Sequence, residues 1–167
     1  MNIMENQNQI TETLIKQLGQ FTLPSVSIPV FKGDPLDYLF FMRAFEHGIE
    51  RKTESNQDRL FFLEQFTLGQ PRELVRSCQY MHPDRGYATA KELLKKHFGD
   101  EHKIATSYLD KGLNWAVIRT EDADALQAYS VFLTGCLNAM NSVQYLEELN
   151  HPVNMKAILS KLSFKLQ

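Results

Sequence analysis

The stretch that decides the fold is PVFKGDPLDYLFFMRAFEHGIE, residues 29–50. It reads as an extended lead-in, a turn and a helix. Gly33-Asp34-Pro35 supplies the turn. Asp34 is suited to cap the helix, and Pro35 to occupy its first position, where a missing N–H costs nothing. From Pro35 to about Lys52, Tyr38, Phe41, Met42, Phe45 and Ile49 form one apolar stripe, while Leu36, Leu39 and Phe40 lie off it. A helix apolar on more than one side is either enclosed on most sides by its own lobe or carries a face meant for another copy of the chain.

Upstream, FTLPSVSIPVF (residues 21–31) contains Pro24 and Pro29, which forbid a helix, and alternating Val26, Ile28 and Val30. The pattern predicts an extended arm laid along the body by one side. Residues 2–20 read as a loose amphipathic helix through Ile3, Ile10, Leu14, Ile15 and Leu18, with Gly19 as its stop.

Downstream the helical period of 3.6 recurs. A second helix is predicted over 57–68 (Leu60, Leu63, Phe66). A third starts at Pro71 with Leu74, Val75, Cys78 and Met81 inward. A turn at HPDRG follows, with Asp84 as cap. A fourth helix spans about 86–98 (Tyr87, Ala90, Leu93, Leu94, Phe98) and ends at Gly99 as a left-handed cap. The polar GDEH, residues 99–102, is the expected lobe boundary. Beyond it lie a helix of about 102–115, a helix of about 122–141 capped by Thr120 or Asp122, a short segment at 143–149, and a last helix from Pro152 with Met155, Ile158, Leu159 and Leu162 inward. The 122–141 helix has the clearest stripe: Leu126, Tyr129, Leu133, Cys136, Leu137 and Met140. The expected fold is all-α, in two small helical lobes preceded by the arm.

The totals narrow the function. The 167 residues are 43% hydrophobic and 23% charged, a globular balance that builds a core without staples. Two cysteines far apart make no disulfide framework, and no apolar run is long enough for a membrane span. Residues 1–98 carry 12 Lys+Arg against 12 Asp+Glu, and residues 99–167 carry 6 against 8, giving the net −2. That is no basic nucleic-acid platform, and KELLKK (residues 91–96) is a small solvated cluster. Phosphate loops, Gly-x-Ser-x-Gly, His-Glu-x-x-His and zinc-type Cys/His spacings are absent from the sequence, so no catalytic residue, metal ligand or cofactor is assigned and a non-enzymatic role is expected. The N-terminus has no secretory pattern, and a cytoplasmic location is expected.

Four pieces in order carry a resemblance: IPVFKGDPLDYLFFMRAFEHGIE, LFFLEQFTLGQPRELV, GYATAKELLKKHFG and DALQAYSVFLTGCLNAM. Across residues 24–166 the chain resembles the Gag-like capsid region of LTR retrotransposons of the BEL/Pao type, or a domesticated derivative. The resemblance implies a capsid N-terminal lobe at 24–99 and a C-terminal lobe at 100–167, after an N-terminal extension of 1–23 that is helical or disordered. It implies self-assembly into pentamers, hexamers and closed shells around RNA, with RNA held through regions outside this chain. The ending KLSFKLQ reads as a domain cut. The expected assembly contacts are Phe31, Leu36, Leu39, Phe40 and Phe132. The expected lobe core is Tyr38, Phe41, Phe45, Leu63, Leu94, Phe98, Leu126, Tyr129 and Leu133. Two other readings compete: a monomeric or dimeric helical adaptor gripping a peptide between the lobes, and a hydrolase using Cys78 or Cys136 with a histidine.

Overall fold

In a computed structural model, residues 3–21 and 25–162 are described, and they are all-α apart from one isolated bridge. The order is α1 (Ile3–Phe21), α2 (Pro35–Phe45), α3 (Asn56–Gln65), α4 (Gln70–Ser77), α5 (Pro83–Phe98), α6 (Glu101–Leu113), α7 (Ala123–Ser142), α8 (Leu146–Asn150) and α9 (Pro152–Leu159). After Phe45 the backbone of α2 widens into a π-turn, Glu46–Glu50, and α4 tightens into a 3₁₀ turn, Cys78–Tyr80.

Local chemistry sets the helix starts. Asp34, Ser55, Asp100 and Asp122 each accept a backbone N–H of the following turn, from Leu36, Asp58, Lys103 and Ala125 respectively. Of the two caps considered for α7, Asp122 takes the role. α4, α5 and α9 begin with proline in the first turn. α5 therefore starts at Pro83, earlier than expected, and its cap position is His82. Asp84 instead lies inside the first turn and accepts from the Asn56 amide at 2.7 Å, tying α5 to α3.

Two apolar clusters form. The first gathers Phe31, Tyr38, Phe41, Met42, Phe45, Leu60, Leu63, Val75, Cys78, Tyr87, Ala90, Leu94, Ile104 and Val143, with Phe98 packed against it. The second gathers Ala105, Ile118, Tyr129, Cys136, Met140, Leu149 and Ile158, with Leu126, Phe132 and Leu133 against it. All nine expected core positions thus belong to one cluster or the other, Phe98, Leu126 and Leu133 only partly buried. Consecutive residues of α6, Ile104 and Ala105, face different clusters, and Tyr108 and Tyr145 touch both, so the two bodies of apolar contact meet just past the GDEH junction.

Several expectations need correction. Gly99 has φ −106°, which is not left-handed; it is glycine because the Tyr38 ring occupies the space a Cβ would need. Phe31, expected at a contact between copies, is 1% exposed. The arm makes a parallel bridge to the turn after α3: Phe31 N–H donates to Phe66 O at 2.8 Å and Leu68 N–H to Phe31 O at 2.9 Å. That pairing drives the Phe31 ring inward, against Tyr38, Phe41 and Phe98. On the arm, Ile28 packs on the first cluster while Val26 and Val30 stay exposed. Met81, Leu137, Met155 and Leu159, expected inward, are exposed. Each sits at the edge of its stripe, where helical periodicity alone does not say how far the neighbouring element reaches.

One polar clasp closes the first cluster. Lys91 on α5 lies 2.9 Å from a Glu50 carboxylate oxygen and 3.3 Å from Glu46, gripping the π-turn. Burial alone would raise the Glu50 carboxyl; the Lys91 hydrogen bond, the neighbouring Tyr87 hydroxyl and the charges of Lys91 and Arg59 outweigh it and hold it below its ordinary value. Burial likewise opposes the Lys91 charge, but the two carboxylates prevail and raise its pKa.

Candidate assembly surface

α2 directs Tyr38, Phe41, Met42 and Phe45 into the core, which turns Leu36, Leu39 and Phe40 toward its other sides. Leu36 and Leu39 are half-buried and Phe40 is 68% exposed. All three line a groove of about 250 Å³ where α2 faces α6 and α7, completed by Pro35, Arg43, Ile104, Tyr108, Asn138, Ala139 and Ser142. The groove lies at the meeting of the two clusters. Tyr108 there is kept protonated, first by burial, with Cys136, Asp37 and Asp34 adding to the effect.

Of the five expected contact residues, these three come together and two do not. Phe31 is core. Phe132 is half-buried in its own aromatic cluster, with its ring 4.8 Å from Trp115 and 6.4 Å from Tyr129 and Lys111 Nζ 5.6 Å from its centroid. Sequence reading missed Tyr108 and Arg43 as groove residues. Arg43 is on α2 itself, whereas nothing local in the chain ties Tyr108 on α6 to that helix. It also missed Tyr80, 94% exposed at the end of the 3₁₀ turn, and Val117 in the loop before α7.

A second groove of about 350 Å³ runs between α7 and α9. Its floor is fixed by the Tyr129 hydroxyl, which donates to the Ile158 carbonyl at 3.0 Å. Leu126, Leu133, Leu137, Leu159 and Leu162 line it with Ser130 and Thr134, and none of its lining residues is charged.

For chemistry, the thiols offer little. Cys78 and Cys136 are free and buried, and burial raises the Cys136 pKa to about 11, away from the thiolate a nucleophile needs. Among the described residues no three His, Cys, Asp or Glu side chains gather as a metal site, and no helix is long and apolar enough to cross a membrane.

Comparison with protein-family models, with curated proteins and with solved structures gave no match.

Proposed function

We propose that this protein is a structural subunit of the Gag-like capsid type, whose copies associate through weak apolar helix contacts into ring-based shells enclosing RNA, the RNA being held by regions outside this chain. The observation that most supports this reading is Phe40, a large ring 68% exposed beside the Leu36–Leu39 groove. An exposed phenylalanine flanked by half-buried leucines is a surface that gains by being covered. Each such contact can be small, below the roughly 1,000 Å² of a stable pair. Closed symmetry multiplies such contacts into a steep concentration threshold.

Negative-stain microscopy with light scattering tests it. With a net charge of −2 per copy, salt screens repulsion and leaves apolar contacts intact, so scattering should rise with ionic strength and particles should appear. Scattering that falls as salt is added would count against apolar-driven assembly. The same groove, lying between the two clusters, also favours a second reading, an adaptor that seats a peptide there. Size-exclusion chromatography separates the two, since an adaptor keeps one small mass at every concentration.

A further inference from the structure

A cavity of about 440 Å³ opens between α2, the C-terminal half of α5, the start of α6 and the end of α7. Leu39, Met42, Ile104 and Val143 give it apolar walls. A volume of this order suits a small organic molecule. The cavity adjoins the Phe40 groove and shares Leu39, Arg43, Ile104 and Ser142 with it, but Phe40 itself does not line it.

Its polar groups lack partners. Tyr38 lines the cavity and is only 6% exposed, yet its hydroxyl has no hydrogen-bond partner among the described residues. The Tyr129 hydroxyl, equally buried, is satisfied by the Ile158 carbonyl. Burial, with the Glu46 charge adding to it, pushes the Tyr38 pKa up to about 12, so the hydroxyl keeps its proton and can donate. An incoming acceptor would recover the free energy that an unmade buried hydrogen bond forfeits. Arg43, Glu92, Lys95 and Glu101 line the same cavity, and none of them makes an ion pair among the described residues. Lys91 and Glu46 line it too, but they hold each other.

The unpaired charges are separated by sign. Arg43 stands on the side shared with the Phe40 groove, where α2 faces α7. Glu92 and Glu101 stand on the opposite side, at the α5–α6 junction, where with Lys95 they also line a neighbouring depression that Arg43 does not reach. That side therefore sets two carboxylates against one ammonium. The first turn of α6 and the last of α7 both meet the cavity, bringing helix-dipole ends of opposite sign to it. An anion alone would leave Glu92 and Glu101 unmatched, and a cation alone would leave Arg43 unmatched. A ligand that carries both charges answers each side.

We propose that this cavity binds a small zwitterion with an apolar body, of the amino-acid or short-peptide class. Its carboxylate lies toward Arg43 and its ammonium toward Glu92 and Glu101. One of its oxygens accepts from the Tyr38 hydroxyl, and its apolar part lies on Leu39, Met42, Ile104 and Val143. The site depends neither on shell formation nor on a peptide seated in the Phe40 groove.

Amide chemical-shift titration of the full chain tests it, with leucine and leucyl-leucine as probes. At least one of them should give saturable shifts concentrated at residues 38–46, 91–101 and 142–143. Saturation by leucine alone identifies a free amino acid as the ligand type, and saturation by leucyl-leucine alone identifies a short peptide. Acetylating the ammonium or amidating the carboxylate of the probe that binds should raise its Kd tenfold or more. Tyr38→Phe keeps the ring against Gly99 and removes only the hydroxyl; it should raise Kd about fivefold. Arg43→Gln and Glu101→Gln, both at exposed positions, should each do the same. Phe40→Ala should leave Kd unchanged, which separates this cavity from the groove beside it. The proposal is overturned if neither probe saturates, if the blocked probes bind as tightly, if Kd ignores Tyr38→Phe and both charge substitutions, or if Phe40→Ala weakens binding as much as they do.

Discussion

The Phe31 ring stacks on Phe41 with centroids 5.1 Å apart and planes 13° from parallel. The arm is therefore part of the first cluster's core, and Phe98 closes edge-on from α5 at 5.5 Å. Phe31→Ala should cost about 3–5 kcal/mol in urea unfolding, through lost burial and the cavity left among three rings. A cost below about 1 kcal/mol would mean the arm is dispensable to the fold.

Ile28 occupies the space beside Gly48: a Cβ there would come within 2.8 Å of the Ile28 Cδ1. Gly48→Ala should displace Ile28 rather than be absorbed, costing about 1–3 kcal/mol. Pairing it with Ile28→Ala should recover part of that loss, a coupling that a double-mutant cycle reads directly. Strict additivity would show that the arm and the π-turn do not press on each other.

Gly99 gives a sharper version of the same geometry. Any side chain at 99 collides with the Tyr38 ring, which is itself buried. Gly99→Ala should lower the melting temperature by several degrees, and a Tyr38→Ala background should blunt the effect.

The Lys91–Glu50 clasp makes stability depend on pH at both ends. The folded pKa of Glu50 is depressed, so its contribution is present above the ordinary carboxylate value and is lost as pH falls through the folded one. The folded pKa of Lys91 is raised, so its contribution is present below the ordinary lysine value and is lost as pH rises through the folded one. Glu50→Gln should destabilise by about 1 kcal/mol at pH 7. The gap between variant and wild type should narrow as pH falls below the ordinary glutamate value and close once it passes the depressed folded one. A gap that stays constant down to pH 3 would contradict the ion-pair origin.

Phe45 and Phe40 share a helix and should behave oppositely. Phe45 is fully buried, so Phe45→Ala should cost about 3–5 kcal/mol and unfold the first cluster. Phe40→Ala should change monomer stability by less than about 0.5 kcal/mol while removing any particles. Unfolding of the monomer by Phe40→Ala would show that the exposed ring is structural after all.

Much of this was legible in residue order. Asp34-Pro35, Asp122 and Pro152 mark helix starts because capping and proline geometry act within one turn of chain. The buried faces of α2 and α5 followed from a period that any helix imposes. The stripe edges were less readable. Leu137 and Leu159 continue apolar stripes that the structure leaves open, because the sequence cannot state where a neighbouring helix stops.

The candidate surface divides in the same way. That Leu36, Leu39 and Phe40 leave the α2 stripe is a property of the helix alone. That they share a groove with Tyr108 and Ser142 depends on how α6 and α7 cross α2, a contact between segments some 70–100 residues apart in the chain. By itself the sequence determined most of the helices, several of their starts and which sides are apolar, since those are set by forces within a few residues, though not the caps at Asp84 and Gly99. Only the tertiary structure decided that Phe31 turns inward, that Gly99 yields to Tyr38, and which apolar side chains stay uncovered, because burial depends on what arrives from elsewhere in the chain.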